Sequence, residues 1–157
     1  MGYTHYLRFN KPVAKRKFSK ASADVKKAFE LIKAECPNIA IKDGWGENEP
    51  QIDKDAIWFN GDASKNEDYE KFFVGVGYKG LTFCKTARQP YDVYVCVACL
   101  ILKEHFGDDV CLTSDGIGKD HTDGGVDLNL LLGGNRYSID DDWQKPIEIY
   151  KKFKGIA

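Results

Sequence analysis

The run PYDVYVCVACLILKEHFG, Pro90 to Gly107, decides the fold. Its middle is apolar on every side and rich in valine. Periodicity alone therefore fits a buried helix or a buried strand. Length favours the helix, because strands in domains of this size are short. The polar ending KEHFG agrees, with Gly107 at the C-cap position, and Pro90 suits the first helical position. The reading is a buried helix over Pro90–Phe106.

Working outward, Leu81–Cys84 before this helix and Val110–Thr113 after it read as strands. Ser114-Asp115-Gly116 is the turn that follows, and DGIGKDHTDGG (Asp115–Gly125) is a long Gly/Asp loop. Near the start, Tyr3–Phe9 alternates and is aromatic, so it reads as a strand. Ser19–Cys36 has Val25, Ala28, Phe29, Ile32 and Cys36 on one helical face and Lys26, Lys27 and Lys33 on another. Ser19 or Ser22 can cap that helix, and Pro37 stops it. A short strand at Ile39–Lys42 leads to the turn segment DGWGENEP (Asp43–Pro50) around an exposed Trp45. Ala56–Asn60 is a buried strand ending at the turn Asn60-Gly61-Asp62. Ser64–Lys71 is a polar loop or short helix. Ser138–Phe153 is a C-terminal helix with Pro146 as a point where it can break. The order predicts one α+β domain over residues 1–157. Its sheet is mixed or mostly antiparallel, with two main helices on it and a C-terminal helix.

With 157 residues, 43% of them hydrophobic and 30% charged, the composition is that of an ordinary globular protein. A net charge of −1 argues against a broad nucleic-acid-coating surface. The balance is uneven: residues 1–42 hold 10 Lys/Arg against 3 Asp/Glu, and residues 108–142 hold 2 against 9. Such runs are solvated faces, or they attract each other within a chain or between subunits. Met1–Asn10 lacks an apolar signal core, and Val93–Leu102 is too short to span a bilayer. The five cysteines, Cys36, Cys84, Cys96, Cys99 and Cys111, fit a reducing cytoplasm better than a disulfide framework. Cys96 and Cys99 form a CxxC inside VYVCVACLIL, and a single such pair is poor zinc evidence.

FCKTARQPYD, Phe83–Asp92, packs reactive and charged side chains against the start of the buried helix. The first amides of a helix lack intrahelical partners and favour negative charge. Lys85 adds a point charge, Arg88 a bidentate fork, Thr86 a hydroxyl, and Tyr91 a ring with a phenol. This set suits a phosphate, pyrophosphate or carboxylate. The structural alternative pairs Arg88 with Asp92 or Asp62 and leaves Tyr91 simply packed. Cys84 could act as a nucleophile with His5 or His121 as its base. Strand alternation opposes this, because it turns Cys84 and Thr86 away from the face carrying Lys85. The same alternation puts Tyr3 and His5 on one face and Tyr6 on the other. Asp115, Asp120, His121 and Asp123 could bind a cation, but their spacing does not match the EF-hand pattern. No metal or other cofactor is expected.

GYTHY (Gly2–Tyr6), FNGD (Phe59–Asp62), FCKTARQPYD (Phe83–Asp92) and SDG (Ser114–Gly116) together resemble a small protein family of bacteriophages and bacteria. The resemblance runs from the start to about Gly116. Gln89 stands where the family carries a basic residue, and Leu7 where it carries Trp. The family has no settled activity. Small phage proteins with a compact anion-plus-aromatic pocket are similar to inhibitors that sequester host nucleotide immune signals. The implied function is capture of a phosphorylated, nucleotide-like small molecule in the bacterial cytoplasm. Lys85, Arg88 and Thr86 would hold phosphate, and Tyr3 or Tyr91 would stack. Asn60, Asp62, Asp92, Ser114 and Asp115 would orient polar edges, with His5 beside them. The rivals are a hydrolase using His5 or Cys84, and a protein-binding inhibitor. Neither a membrane nor a nucleic-acid polymer is expected as partner, and a homo-oligomer stays open.

Overall fold

Helix α2 spans Asp92–Phe106, and all its residues from Asp92 to Lys103 are buried. The computed structural model describes residues 2–118, 125–134 and 137–156. The helix begins at Asp92 rather than Pro90. Pro90 and Tyr91 belong to a turn in which the Asp92 amide donates to the Gln89 carbonyl. Lys103 is buried because its ammonium donates to the carbonyls of Gly107 and Val110 at 2.9 and 2.8 Å. A cation there also meets the negative end of the helix dipole. Gly107, at φ 52°, reverses the chain, as the C-cap reading expected.

One face of α2 is covered by a three-stranded antiparallel sheet. Strand β1 (Thr4–Phe9) lies between β6 (Gly80–Lys85) and β7 (Val110–Ser114). Alternation turns His5, Leu7 and Phe9 inward, beside Leu112 of β7 and Cys84 of β6. Helix α1 (Lys15–Glu35) packs on α2 through Phe18, Val25, Phe29 and Ile32. Each such side chain contributes about 1.5–3 kcal/mol of burial. α1 starts four residues before Ser19, because Phe18 extends its apolar face. Its N-cap is Ala14, without a side-chain bond, and Ser22 instead donates to the Asp53 carbonyl at 2.6 Å.

The second sheet is built on β4 (Ala56–Gly61). It pairs antiparallel with β2 (Ile41–Lys42), β3 (Gln51–Ile52) and β5 (Phe72–Gly75). β3 and β5 were absent from the sequence reading. A short 3-10 turn, Ala63–Lys65, follows β4 and is capped by Asp62. The short helix α3 spans Leu128–Leu132. Helix α4 (Asp141–Lys154) packs on α2 with Trp143, Ile149 and Tyr150 buried, and it runs through Pro146 unbroken. It starts later than Ser138 because Ile139 pairs with Ile117 in an extended bridge and Asp140 is the N-cap.

The fold is α+β with antiparallel sheets, and one buried apolar cluster joins its layers. The basic and acidic segments do meet within the chain: Lys11 and Lys17 lie 3.7 and 3.4 Å from Asp109. No helix among the described residues is long and apolar enough to cross a membrane.

Candidate functional site

Antiparallel register puts His5 directly between Cys84 and Ser114 on the inner face of the sheet. Helix α2 brings Asp92 and Cys96, four residues apart and therefore on one helical face, over the same point. His5 Nδ1 lies 2.7 Å from Ser114 Oγ, and His5 Nε2 lies 2.7 Å from Asp92 Oδ1. Thr86 Oγ1 donates to Asp92 Oδ1 at 2.5 Å, and Cys96 Sγ donates to Oδ2 at 3.5 Å. From the C-terminal helix, Trp143 Nε1 donates to Ser114 Oγ at 3.0 Å, and its ring meets His5 edge-on. The Gly116 amide also donates to Ser114 Oγ at 3.0 Å.

Counting donors assigns the protons. A hydroxyl oxygen has two lone pairs. Trp143 and Gly116 fill both on Ser114, so the Ser114 hydroxyl proton goes to His5 Nδ1. His5 then carries its own proton on Nε2 and donates it to Asp92. The donor order is Ser114, His5, Asp92, as in a hydrolase relay. Attack by Ser114 would need an unoccupied lone pair and an approach for substrate. Both lone pairs are bonded, and the His5 side chain is 0% exposed. The same count bears on cations. His5, Asp92 and Cys96 present ligand-type atoms within 4.8 Å of one another. A metal on Nε2 would move the proton to Nδ1, where Ser114 Oγ already holds two donors. The donor set therefore fits protons better than a metal ion.

Around this closed network a second tie binds α4. Tyr3 Oη donates to Asp140 Oδ1 at 2.9 Å, and the guanidinium of Arg88 lies 4.0 Å from the Tyr3 ring centre. Arg88 also pairs with Asp140, the N-cap of α4, and with Asp142 in its first turn. Gly116 allows this convergence: a Cβ there would stand 2.0 Å from Tyr3 Oη and 2.6 Å from the Trp143 ring.

At the anion pocket expected over Lys85–Asp92, several side chains and amides have partners inside the chain. The Thr86 and Ala87 amides donate to the Tyr3 carbonyl. Ala87 and Arg88 have φ of 52° and 62°, and the Gln89 amide donates to the Thr86 carbonyl, the signature of a type I′ turn. Arg88 pairs with neither Asp92 nor Asp62 but with the acidic start of α4. Tyr91 is buried, its hydroxyl donating to the Glu70 carbonyl at 2.5 Å. Lys85 is half-buried, its ammonium 5.6 Å from the Tyr69 ring centre.

Segments Tyr3–His5, Thr86–Asp92 and Ser114–Gly116 do meet. Asp115 also joins, accepting from the Thr4 amide at 3.0 Å. The Asn60 segment approaches them at Tyr91, which stands 2.9 Å from where a Gly61 Cβ would lie. Asn60 itself bridges the Gly44 and Tyr69 carbonyls, and Asp62 accepts from Ser64. Trp143 and Asp140 were missed; their only local signal is the acidic helix start Ile139-Asp140-Asp141-Asp142-Trp143. Asp120, His121 and Asp123 lie outside the described residues.

Cys84 is buried, and burial pushes its thiol far above the ordinary range. Cys96 and Cys99 are pushed up by the same cause. A thiol that stays protonated is a poor nucleophile. At pH 8, iodoacetamide should modify Cys84, Cys96 and Cys99 only after denaturation, as peptide mass spectrometry would read. Rapid labelling of native Cys84 would restore it as a candidate nucleophile.

An open site lies elsewhere. A cleft of ≈ 470 Å³ separates the C-terminal half of α1 from β2 and β3. Phe29, Ile39, Ile41, Ile52 and Tyr94 contribute its apolar lining. Lys26, Lys33 and Lys42 stand around it with Glu30 and Glu49. None of these lysines lies within ion-pair distance of a carboxylate among the described residues. In sequence Lys26 and Lys33 lie on the helix face away from its apolar residues, and Lys42 ends the short strand Ile39–Lys42. No family model, curated protein or solved structure matches the chain.

Proposed function

We propose that the protein captures a phosphorylated, nucleotide-like small molecule and releases it unchanged. The α1–β2 cleft carries this reading, because three ammonium groups, none with a carboxylate within ion-pair distance among the described residues, surround an apolar lining large enough for a nucleotide. Lysines supply point charges for phosphate, and the isoleucines and Phe29 supply a surface for a flat base. Taken with the resemblance to bacteriophage proteins, the reading extends to sequestering a nucleotide-derived immune signal of a bacterial host. A binder of this kind needs no acid, base or nucleophile. The closed Ser114–His5–Asp92 network is consistent with that, although its donor order is the one feature that favours a hydrolase.

The test is calorimetry and native mass spectrometry with ATP, ADP and cyclic dinucleotides. One ligand per chain should be recovered intact after long incubation. Lys26→Ala and Lys33→Ala should each weaken binding about tenfold, the loss expected for a charged hydrogen bond of at least about 1.4 kcal/mol. Product exceeding the protein concentration, abolished by His5→Ala, would replace capture with hydrolysis. Affinity indifferent to both lysine changes would remove the cleft as the site.

A further inference from the structure

The inner face of the β6–β1–β7 sheet is covered by α2, but among the described residues no helix packs on its outer face. Alternation and register fix what that face presents. Tyr6 of β1 stands opposite Phe83 of β6, and Arg8 stands opposite Leu81. Phe83 is 53% exposed and Leu81 39% exposed, both on the edge strand β6. The Tyr6 and Phe83 rings lie 6.3 Å apart. At one end of the strip Lys85 sits over Tyr69, itself 49% exposed. Exposed Lys79 immediately precedes β6.

We propose that this strip binds single-stranded nucleic acid. Phe83, Tyr6 and Tyr69 would stack bases, and Arg8 and Lys85 would contact phosphates. Aromatic faces interleaved with cations on an open antiparallel sheet suit unpaired bases, whose flat faces a duplex hides. Charge selects this occupant over a second copy of the chain. Two copies meeting on this face would bring the Arg8 and Lys85 cations against one another, whereas a polyanion complements them. Glu70 and Asp115 both accept backbone amides at the strip's Lys85 end: Glu70 from Lys85 and Asp115 from Thr4. The Arg8 end has no carboxylate within ion-pair distance among the described residues. Net charge near zero rules against coating a long polymer, and a strip of two or three nucleotides does not require it.

Fluorescence anisotropy with a labelled single strand of about ten nucleotides tests the assignment. Binding should fall with salt at a log–log slope of about −1.5 to −2, for two or three phosphates at about −0.7 each. Phe83→Ala, at a half-exposed position that leaves the core intact, should weaken binding about tenfold. Arg8→Gln should lower the slope, and Lys33→Ala in the cleft should change neither quantity. Equal binding of single strand and duplex would overturn the proposal, as would affinity unaffected by Phe83→Ala or loss of binding in Lys33→Ala alone. Absence of binding, with a sedimenting dimer that Phe83→Ala dissociates, would assign the strip to a second copy instead.

Discussion

Asp92→Ala should cost the fold about 3–5 kcal/mol, because it leaves several buried donors without an acceptor at about 1–3 kcal/mol each. The carboxylate accepts from His5 Nε2, Thr86 Oγ1 and Cys96 Sγ, and all three donors are buried. Alanine would leave them facing apolar walls, with water unable to replace the lost acceptor. Domains have only about 5–15 kcal/mol in hand, so the variant should approach the folding threshold. Its Tm should fall by about 10 °C. Asp92→Asn keeps one oxygen acceptor for His5 and should lose roughly half as much. Urea denaturation read by tryptophan fluorescence and circular dichroism would measure both. A change below about 1 kcal/mol for Asp92→Ala would mean that the network does not hold the layers together.

Trp143→Ala should be comparably severe, about 3–5 kcal/mol, because the indole is fully buried between α4, α2 and the sheet. The loss has a local consequence beyond volume. Without the indole N–H, one lone pair on Ser114 becomes free, and His5 loses the ring that closes its edge. Trp143→Phe separates the two effects: it keeps an aromatic ring, removes the donor, and should cost about 1–2 kcal/mol. Hydrogen exchange should show the amides of 141–154 losing protection first, since Trp143 anchors that helix to β7. Because Asp92 and Trp143 both act through His5 and Ser114, Asp92→Asn and Trp143→Phe should not add; a coupling of at least about 0.5 kcal/mol is expected. Strict additivity would show two independent contacts rather than one network.

Much of the fold was legible because local rules and tertiary packing agree. The length of the apolar run and Gly107 identified α2, and the alternation in Tyr3–Phe9 identified β1. Alternation also placed Cys84 and Thr86 inward and Lys85 outward. Elements defined by a partner rather than by themselves were not legible. β3 is only Gln51–Ile52, and it exists because Trp58 and Ile57 of β4 lie opposite. The start of α1 was missed because Lys15, Arg16 and Lys17 mask the apolar face that Phe18 extends.

The amino-acid sequence by itself pointed to the gathering of the Tyr3–His5, Lys85–Asp92 and Ser114–Gly116 segments, but not to the separate place of Asn60 and Asp62. His5, the Lys85–Asp92 block and Ser114 sit at ends of adjacent strands or on the helix that follows, and strand pairing brings such ends to one edge. Only the tertiary structure decided that the gathering point is closed. The residues that close it, Asp140, Asp142 and Trp143, come from the C-terminal helix; Tyr3 and Asp140 are 137 positions apart. Nothing local in FCKTARQPYD distinguishes an Arg88 waiting for phosphate from an Arg88 bound to that helix. The same holds for the cleft, whose lysines become a site only where α1 faces β2 and β3. Open or closed is a property of what packs on top, and packing between distant segments is set by the sum of many contacts rather than by any short pattern.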